Sequence, residues 1–174
     1  MRPKVSNNVA YVVKKIGEIR KEKPGKKMLQ KMIFLIKYRN VNLGYDYGLH
    51  FYGPYSQSLD QETLLLSTDG VIKIDFMANS HLMSINDEEF DVEPEGLDCM
   101  KVEAIDEVIV RFKKYNPAKL ELLTTAMYAF EHLQDKSRGS VIEGVKKIKG
   151  SKYQDSQIKE ALDDFEYFGM LFSK

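Results

Sequence analysis

The stretch KMLQKMIFLIKY, residues 27–38, constrains the fold of this chain more than any other segment. At helical spacing its apolar side chains cover most of the helix circumference. A helix that is apolar on almost every side has to be surrounded by other elements. The sequence therefore predicts a central helix, and its narrow polar arc should be exposed and consist of Lys27, Gln30, Lys31 and Lys37.

Two further elements flank this helix. Residues 8–22 carry valines and isoleucines at helical spacing, which predicts an amphipathic helix that ends at the KPGK stretch, 23–26. Residues 44–53, GYDYGLHFYG, alternate in polarity and predict a short strand that Gly53 and Pro54 end. Because alternate side chains of a strand point to opposite faces, Tyr52 should be partly exposed, as should Tyr55 in the turn. The other face should consist of Tyr45, Tyr47, Leu49 and Phe51.

A third helix and a β-hairpin come next. The helix has a capping-box pattern at its start, in which Ser58 and Gln61 would each bond the other's backbone, and Gly70 suits its C-terminus. Its inward side should consist of Leu59, Leu65 and Leu66. Residues 72–85 alternate in polarity and predict a hairpin that turns at MANS, 77–80.

The rest of the chain is predicted to be helical after one acidic segment. Residues 86–98 are acidic and poor in apolar side chains, which indicates a linker or an exposed loop. Asn116 and Pro117 suit the start of one helix, and Asp155 or Ser156 should cap the last one.

These elements together predict an α+β fold that is mostly helical. Residues 1–86 should form a winged-helix-like lobe with a small β-hairpin, and residues 87–99 an acidic linker or loop. Residues 100–174 should form a helical bundle that packs against the first lobe and shares one core with it.

Charge is unevenly distributed although the net charge is zero. Residues 1–39 contain 12 Lys and Arg but 2 Asp and Glu, whereas residues 40–110 contain 2 and 15. Such asymmetry can mark a basic surface for nucleic acid, or two faces that neutralise each other within one fold. We favour the second interpretation because no segment of like charge lies apart from apolar periodicity.

The motifs of known catalytic and metal sites are not found in the sequence. The three histidines lie far apart, at 50, 81 and 132, and Cys99 follows Asp98, whose charge would raise a thiol pKa. The acidic residues at 87–93 lack the spacing of a calcium loop. We expect a protein that is not an enzyme and uses no cofactor or metal.

No apolar run reaches the roughly 18 residues of a membrane span. The first residues, MRPKVSNN, lack the apolar segment of a signal peptide. The sequence therefore predicts a cytoplasmic protein without a membrane partner.

The third helix is a poor candidate for reading DNA. Residues 56–70 contain no Lys or Arg, whereas a helix in a DNA groove needs positive charge and side chains that bond base edges. A basic patch on the first two helices could instead hold phosphate without reading sequence. Its candidate residues are Lys23, Lys26, Lys27 and Lys31.

The aromatic turn is a candidate protein-binding surface. Exposed tyrosines beside a rigid turn are common anchors at protein interfaces. The anchor would consist of Tyr52, Pro54, Tyr55 and Gln57. Asp60 and Glu62 in the helix that follows would select a basic partner.

Several segments resemble a known family. KMLQKMIFLIKY at 27–38, FYGPYSQSL at 51–59, TDGVI at 68–72 and VKKIKGSKYQDSQIKEALDDFEYFGML at 145–171 resemble small bacterial and archaeal proteins related to the Panacea antitoxin-like domain. The shared features are a leucine-glutamine-lysine helix and a tyrosine-glycine-proline turn. The resemblance implies a winged-helix-like core, no catalytic chemistry, and a role in neutralising a partner toxin or as an adaptor.

Our leading hypothesis is thus a regulatory protein-binding module that uses the YGPYS turn and the acidic third helix. The alternative is a winged-helix transcriptional regulator that binds nucleic acid through its basic first helices. A small-molecule pocket between the two halves is a third option. The sequence does not identify the partner or the oligomeric state.

Overall fold

The computed structural model describes residues 1–77 and 80–174. Within them, the chain forms seven α-helices and six short strands, which confirms the mostly helical α+β class. The helices are α1 Asn8–Arg20, α2 Lys26–Tyr38, α3 Gln57–Thr68, α4 Cys99–Phe112, α5 Pro117–His132, α6 Arg138–Lys149 and α7 Asp155–Leu162. The strands are β1 Lys4–Ser6, β2 Gly48–His50, β3 Gly53–Tyr55, β4 Ile72–Met77, β5 Ser80–Ile85 and β6 Asp91–Glu93.

The N-terminal half has the winged-helix order of elements. Helices α1, α2 and α3 are followed by the antiparallel hairpin of β4 and β5, whose predicted turn falls partly at residues 78–79, outside the described residues. The link between α1 and α2 joins this hairpin, because the Met83 N–H donates to the Pro24 carbonyl at 2.9 Å and Gly25 pairs with Leu82. The link between α1 and α2 thus forms a single β-bridge with the edge of the hairpin.

Helix α2 is central, as predicted, but half of its polar arc is buried and not exposed. The helix packs against α1, α4, α5, β3 and β5. Its apolar side chains from Met28 to Ile36 are buried. Gln30 and Lys31, which we expected to be exposed, are only 3% and 1% exposed. Elements from distant parts of the sequence cover them.

The aromatic segment forms a hairpin, so the single strand predicted for it is wrong. Strand β2 pairs antiparallel with β3, and Leu49 lies opposite Pro54. Gly53 and Pro54 belong to the second strand and do not end the first. Proline fits here because the described part of the sheet has only two strands. The chain reverses at residues 51–52, so Phe51 points to solvent.

The N-cap of helix α3 lies two residues before the predicted cap, Ser58. Ser56 is the N-cap, and its hydroxyl accepts from the Leu59 N–H at 3.3 Å, so Ser58 lies inside the first turn. At the other end Gly70 has a φ of +76°, and the Val71 N–H donates to the Leu66 carbonyl at 2.9 Å, which confirms the glycine C-terminus. Leu65 is exposed and not on the inward side.

The acidic segment is more than a linker, because part of it is a strand. Strand β6 pairs in parallel with β1, and Val92 between its acidic neighbours is buried. The Lys4 ammonium lies 3.1 Å from the Glu93 carboxylate. The basic N-terminal segment and the acidic segment therefore neutralise each other along this sheet.

The C-terminal helices share one core with the N-terminal half. A single cluster of buried apolar side chains includes residues of α1 and α2 as well as of α4 to α7. Helix α5 lies at its centre, against α2, α6 and α7. Asn116 caps α5 as predicted, whereas Gln154, and neither Asp155 nor Ser156, caps α7.

We predict that Gly53→Ala destabilises the fold more than Gly44→Ala. Both glycines have a positive φ, of +87° and +90°, so both substitutions carry the same backbone strain. A Cβ on Gly53 would lie 2.7 Å from the Thr125 hydroxyl, whereas one on Gly44 meets no atom within 4 Å. We expect an additional loss of about 1–3 kcal/mol in the free energy of unfolding for Gly53→Ala, from overpacking. Urea denaturation of both variants measures this difference, and equal losses would contradict close packing of the hairpin on α5.

Candidate functional site

The start of α3 and the aromatic hairpin, which is residues 48–55, are fixed to α2 by two buried polar side chains. The Gln30 amide donates to the Ser56 carbonyl at 2.8 Å and accepts from the Ser56 N–H at 2.9 Å. The Lys31 ammonium donates to the Pro54 carbonyl at 2.5 Å. The leucine-glutamine-lysine helix and the tyrosine-glycine-proline turn thus contact each other directly. Side chains of α2 take the place of a neighbouring strand for this backbone.

A buried carboxylate lies on the other side of the aromatic hairpin. The Glu121 side chain, in α5, is fully buried and forms ion pairs with Lys27, Lys149 and Lys152. The distances from its Oε1 atom to the ammonium groups of Lys149 and Lys152 are 2.6 and 2.8 Å. Burial alone would raise the pKa of Glu121, but hydrogen bonds from the three lysines outweigh it and lower the pKa to about 2. Glu121 is therefore ionised throughout the physiological range.

Lys31 belongs to the same group of charges, although within residues 1–77 and 80–174 it forms no ion pair. Burial lowers the pKa of Lys31 to about 7; the negative charge of Glu121 acts in the opposite direction, and the positive charges of Lys27 and Lys149 lower it further. We call Lys27, Lys31, Lys149 and Lys152 the lysine cluster. With this pKa, Lys31 exchanges a proton near neutral pH.

The tip of the aromatic hairpin is seated on the lysine cluster. The Tyr52 ring lies 4.9 Å from the Lys27 ammonium and 5.8 Å from that of Lys152, within the range of cation–π attraction. The Lys149 ammonium donates to the Phe51 carbonyl at 2.7 Å. The Phe51 ring packs edge-on against Tyr52 at 4.9 Å and is 82% exposed. The backbone of the tip is therefore held while one aromatic ring projects into solvent.

A cavity of about 620 Å³ opens between this hairpin, the β4–β5 hairpin and the start of α2. Its walls carry the cationic residues Lys26, Lys27 and Lys31, and the rings of His50, Tyr52, Tyr55 and His81. The Lys26 ammonium is 2.9 Å from the Asp60 carboxylate. The cavity thus combines positive charge with flat ring surfaces.

Only some of the residues that we predicted to bind a protein partner are exposed and unpaired in the structure. Tyr52 is 56% exposed, Tyr55 is half-buried and Gln57 is exposed. The Pro54 side chain, by contrast, is buried and does not lie on the surface assigned to it. The acidic pair is already engaged within the fold, because Asp60 binds Lys26 and Glu62 accepts from the Asn7 amide at 2.8 Å.

The four lysines proposed for nucleic acid do not form one open patch. Lys31 is buried, and Lys27 pairs with the buried Glu121. Lys23 and Lys26 are about half exposed, and each lies within 3 Å of an aspartate carboxylate, at 2.6 and 2.9 Å. The acidic residues of the middle segment therefore neutralise much of the charge that the sequence places on the first two helices.

Sequence reasoning missed Phe51, Glu121 and Lys149. Phe51 was assigned to the inward face because the chain reversal at its position was not recognised. Glu121 carries a signal that could have revealed it, since it is a charged residue flanked by the leucines of AKLELL, 118–123. A carboxylate at such a position is expected to be buried with a cationic partner. Lys149 carries no comparable signal.

Among residues 1–77 and 80–174, no group of three or more His, Cys, Asp or Glu side chains is arranged to hold a metal ion. In that same part of the chain, no helix combines the length and apolar character that crossing a membrane requires. Cys99 is exposed.

We predict that Lys31 makes the stability of the protein rise between pH 7 and pH 10. The folded protein releases the Lys31 proton near pH 7, whereas the unfolded chain keeps it to about pH 10.4. The unfolded state therefore binds more protons in this window, and the free energy of unfolding should rise by up to about 1.4 kcal/mol per pH unit. Below pH 7 both states are protonated and the contribution is constant.

The substitution Lys31→Met isolates this effect, because it keeps an unbranched chain without the ammonium group. Urea denaturation of both proteins at pH 7, 8 and 9 should give a smaller slope for the variant. Parallel curves would show that the Lys31 ammonium keeps its ordinary pKa.

Comparison with known proteins gives one distant relative and no family assignment. No family model matches the chain. The chain is 28% identical over 149 residues to the uncharacterized protein YwgA of Bacillus subtilis (strain 168), a match that covers 82% of this chain and 85% of the relative. The resemblance to the Panacea antitoxin-like domain stays a prediction.

Proposed function

We propose that this chain is a non-enzymatic, cytoplasmic protein-binding module, of antitoxin or adaptor type, that contacts its partner with the tip of the aromatic hairpin. The observation that carries the proposal is the exposure of Phe51, at 82%, on a tip whose backbone is fixed. A large aromatic side chain that is mostly in solvent buries little apolar surface in the free protein, and the contact of Phe51 with Tyr52 covers only a small part of its ring. In a protein interface such a side chain fills a pocket of the partner and supplies much of the affinity.

Rigidity of the tip supports this role. The hairpin is held from one side by Lys31 at the Pro54 carbonyl and from the other by Lys149 at the Phe51 carbonyl. Gly53 also packs against Thr125, at a distance that leaves no room for a side chain. An anchor that is already ordered loses little conformational entropy on binding, so more of its contact energy appears as affinity.

The chemistry of the surrounding surface favours an apolar partner surface over a basic one. Asp60 and Glu62 are paired within the fold, so they are not free to select a basic partner. The exposed side chains of α3 are uncharged or apolar along most of its length, and include Ser58, Gln61, Leu64, Leu65 and Thr68. We therefore assign the selection of the partner to the aromatic tip and to exposed leucines of α3.

The nucleic-acid alternative has weaker support. The exposed residues of α3 include no lysine or arginine, and the four lysines predicted to bind nucleic acid, Lys23, Lys26, Lys27 and Lys31, are paired or buried. Binding of a long polyanion through released counterions requires a row of several exposed cations along its backbone, and these four lysines do not form one. Nuclease treatment in the experiment below separates the two functions.

We predict that Phe51→Ser combined with Tyr52→Ser abolishes capture of the partner. The tagged protein would be recovered from extract of its own cells with and without nuclease, and associated proteins identified by mass spectrometry. A stoichiometric protein that survives nuclease should bind the wild type and be reduced at least about tenfold with the double variant, as expected for loss of an aromatic anchor.

The matched control is Met100→Ser, because Met100 is 76% exposed and belongs to α4 and not to the hairpin. It should capture the same protein as the wild type. If the double variant, still folded by circular dichroism, captures as much as the control, the hairpin tip is not the anchor. Recovery of nucleic acid, with all companion proteins lost after nuclease, would favour the alternative.

A further inference from the structure

The lysine cluster carries more positive charge than the fold neutralises. The ammonium groups of Lys27, Lys149 and Lys152 all pair with the single carboxylate of Glu121, and Lys31 lies close enough for the charge of Glu121 to act on it. Within the described residues, none of the four pairs with another carboxylate. Lys31 and Lys149 are almost fully buried, so water does not screen their charges well. Buried charge of one sign normally has a counterion.

We propose that the cavity beside the lysine cluster binds a small ligand bearing phosphate groups. The cavity, of about 620 Å³, is large enough for a nucleotide-sized molecule. Lys27 and Lys31 belong both to the cluster and to the cavity wall. The Lys27 side chain is partly exposed, so a phosphate in the cavity would lie beside the excess charge of the cluster. Lysine is a common phosphate-binding residue, and a ligand with more than one negative charge fits an excess of this size.

The start of α2 adds a second source of attraction for an anion. Gly25 is the N-cap of this 13-residue helix, and no side chain caps it. The first N–H groups of a helix carry partial positive charge and bind phosphate oxygens when no cap occupies them. Gly25, Lys26 and Lys27 all line the cavity, so the helix start and the lysine side chains lie on one wall.

Aromatic rings that line the same cavity can receive a planar group of the ligand. His50 and Tyr55 pack together with ring centroids 4.7 Å apart, and both line the cavity with Tyr52 and His81. Flat aromatic faces stack on nucleobases, and every nucleotide contains one base. The phosphate groups define the ligand class, and a base would add affinity.

This inference is independent of the proposed protein-binding role, although the two sites share the aromatic hairpin. Tyr52 touches Lys27 and Lys152 on one side and Phe51 on the other. A phosphate that draws these lysines into the cavity would act on the same hairpin that presents Phe51. The ligand site can be tested without any partner protein.

The test is isothermal titration of the full chain with inorganic pyrophosphate, and then with adenosine 5′-diphosphate, at constant ionic strength. Lys26→Gln should weaken pyrophosphate binding about tenfold, since it removes one charged hydrogen-bond donor from the cavity wall. Lys23→Gln is the matched control, because Lys23 and Lys26 are 48% and 46% exposed at the side chain and each pairs with one aspartate. Lys23 does not line the cavity, so its variant should bind as the wild type does.

Saturable pyrophosphate binding that only Lys26→Gln weakens would support the proposal. Tighter binding of the nucleotide than of pyrophosphate would identify the stacking rings as part of the site, and equal binding would identify phosphate alone as the ligand. Absence of saturable binding to either probe would overturn the proposal. Equal weakening by both lysine variants would also overturn it, because it would show general attraction of anions to the surface. Binding of a single-stranded oligonucleotide without binding of either small probe would overturn it in favour of a polymer.

Discussion

The ion pairs of the buried Glu121 carboxylate are the interaction on which the rest of the structure depends. Glu121 draws lysines from α2, from α6 and from the link between α6 and α7 to one point on α5. Burying a carboxylate is costly unless it is paired and hydrogen-bonded, and here three donors meet that requirement. Removing one partner of such an arrangement would leave an uncompensated charge. The packing of α2, α5 and α6 around it is therefore mutually dependent.

The aromatic hairpin extends this arrangement to the surface. Its backbone carbonyls accept hydrogen bonds from lysines of α2 and α6, and the Tyr52 ring covers two ammonium groups of the cluster. These side-chain hydrogen bonds hold the backbone of the tip in place. Lys31, which bonds the Pro54 carbonyl, and Lys27, which contacts the Tyr52 ring, also line the neighbouring cavity, so the two proposed sites share part of their structure.

The sequence was sufficient for features that depend on local chemistry. The central helix, the Gly70 terminus of α3 and the Asn116 cap of α5 each follow from residues within a few positions of one another. Gln30 and Lys31 could not be assigned in this way, because their burial depends on partners more than 20 residues away at Pro54 and Ser56. Periodicity assigns polar side chains to solvent, and it does not reveal that a distant backbone will satisfy them. The candidate site consists largely of such long-range polar contacts, so the sequence indicated its aromatic residues but not its charges.

The pairing of β1 with β6 has a consequence for how the chain acquires its structure during synthesis. Val5 and Val92 are neighbours in the sheet but are separated by most of the N-terminal half of the chain. Part of the apolar surface of α2 is likewise covered by α5, which is synthesised later. The apolar surface of α2 is therefore incompletely covered while the second half is being made, and a nascent chain of this kind is prone to aggregation. The N-terminal half therefore cannot complete its packing until the C-terminal helices are present.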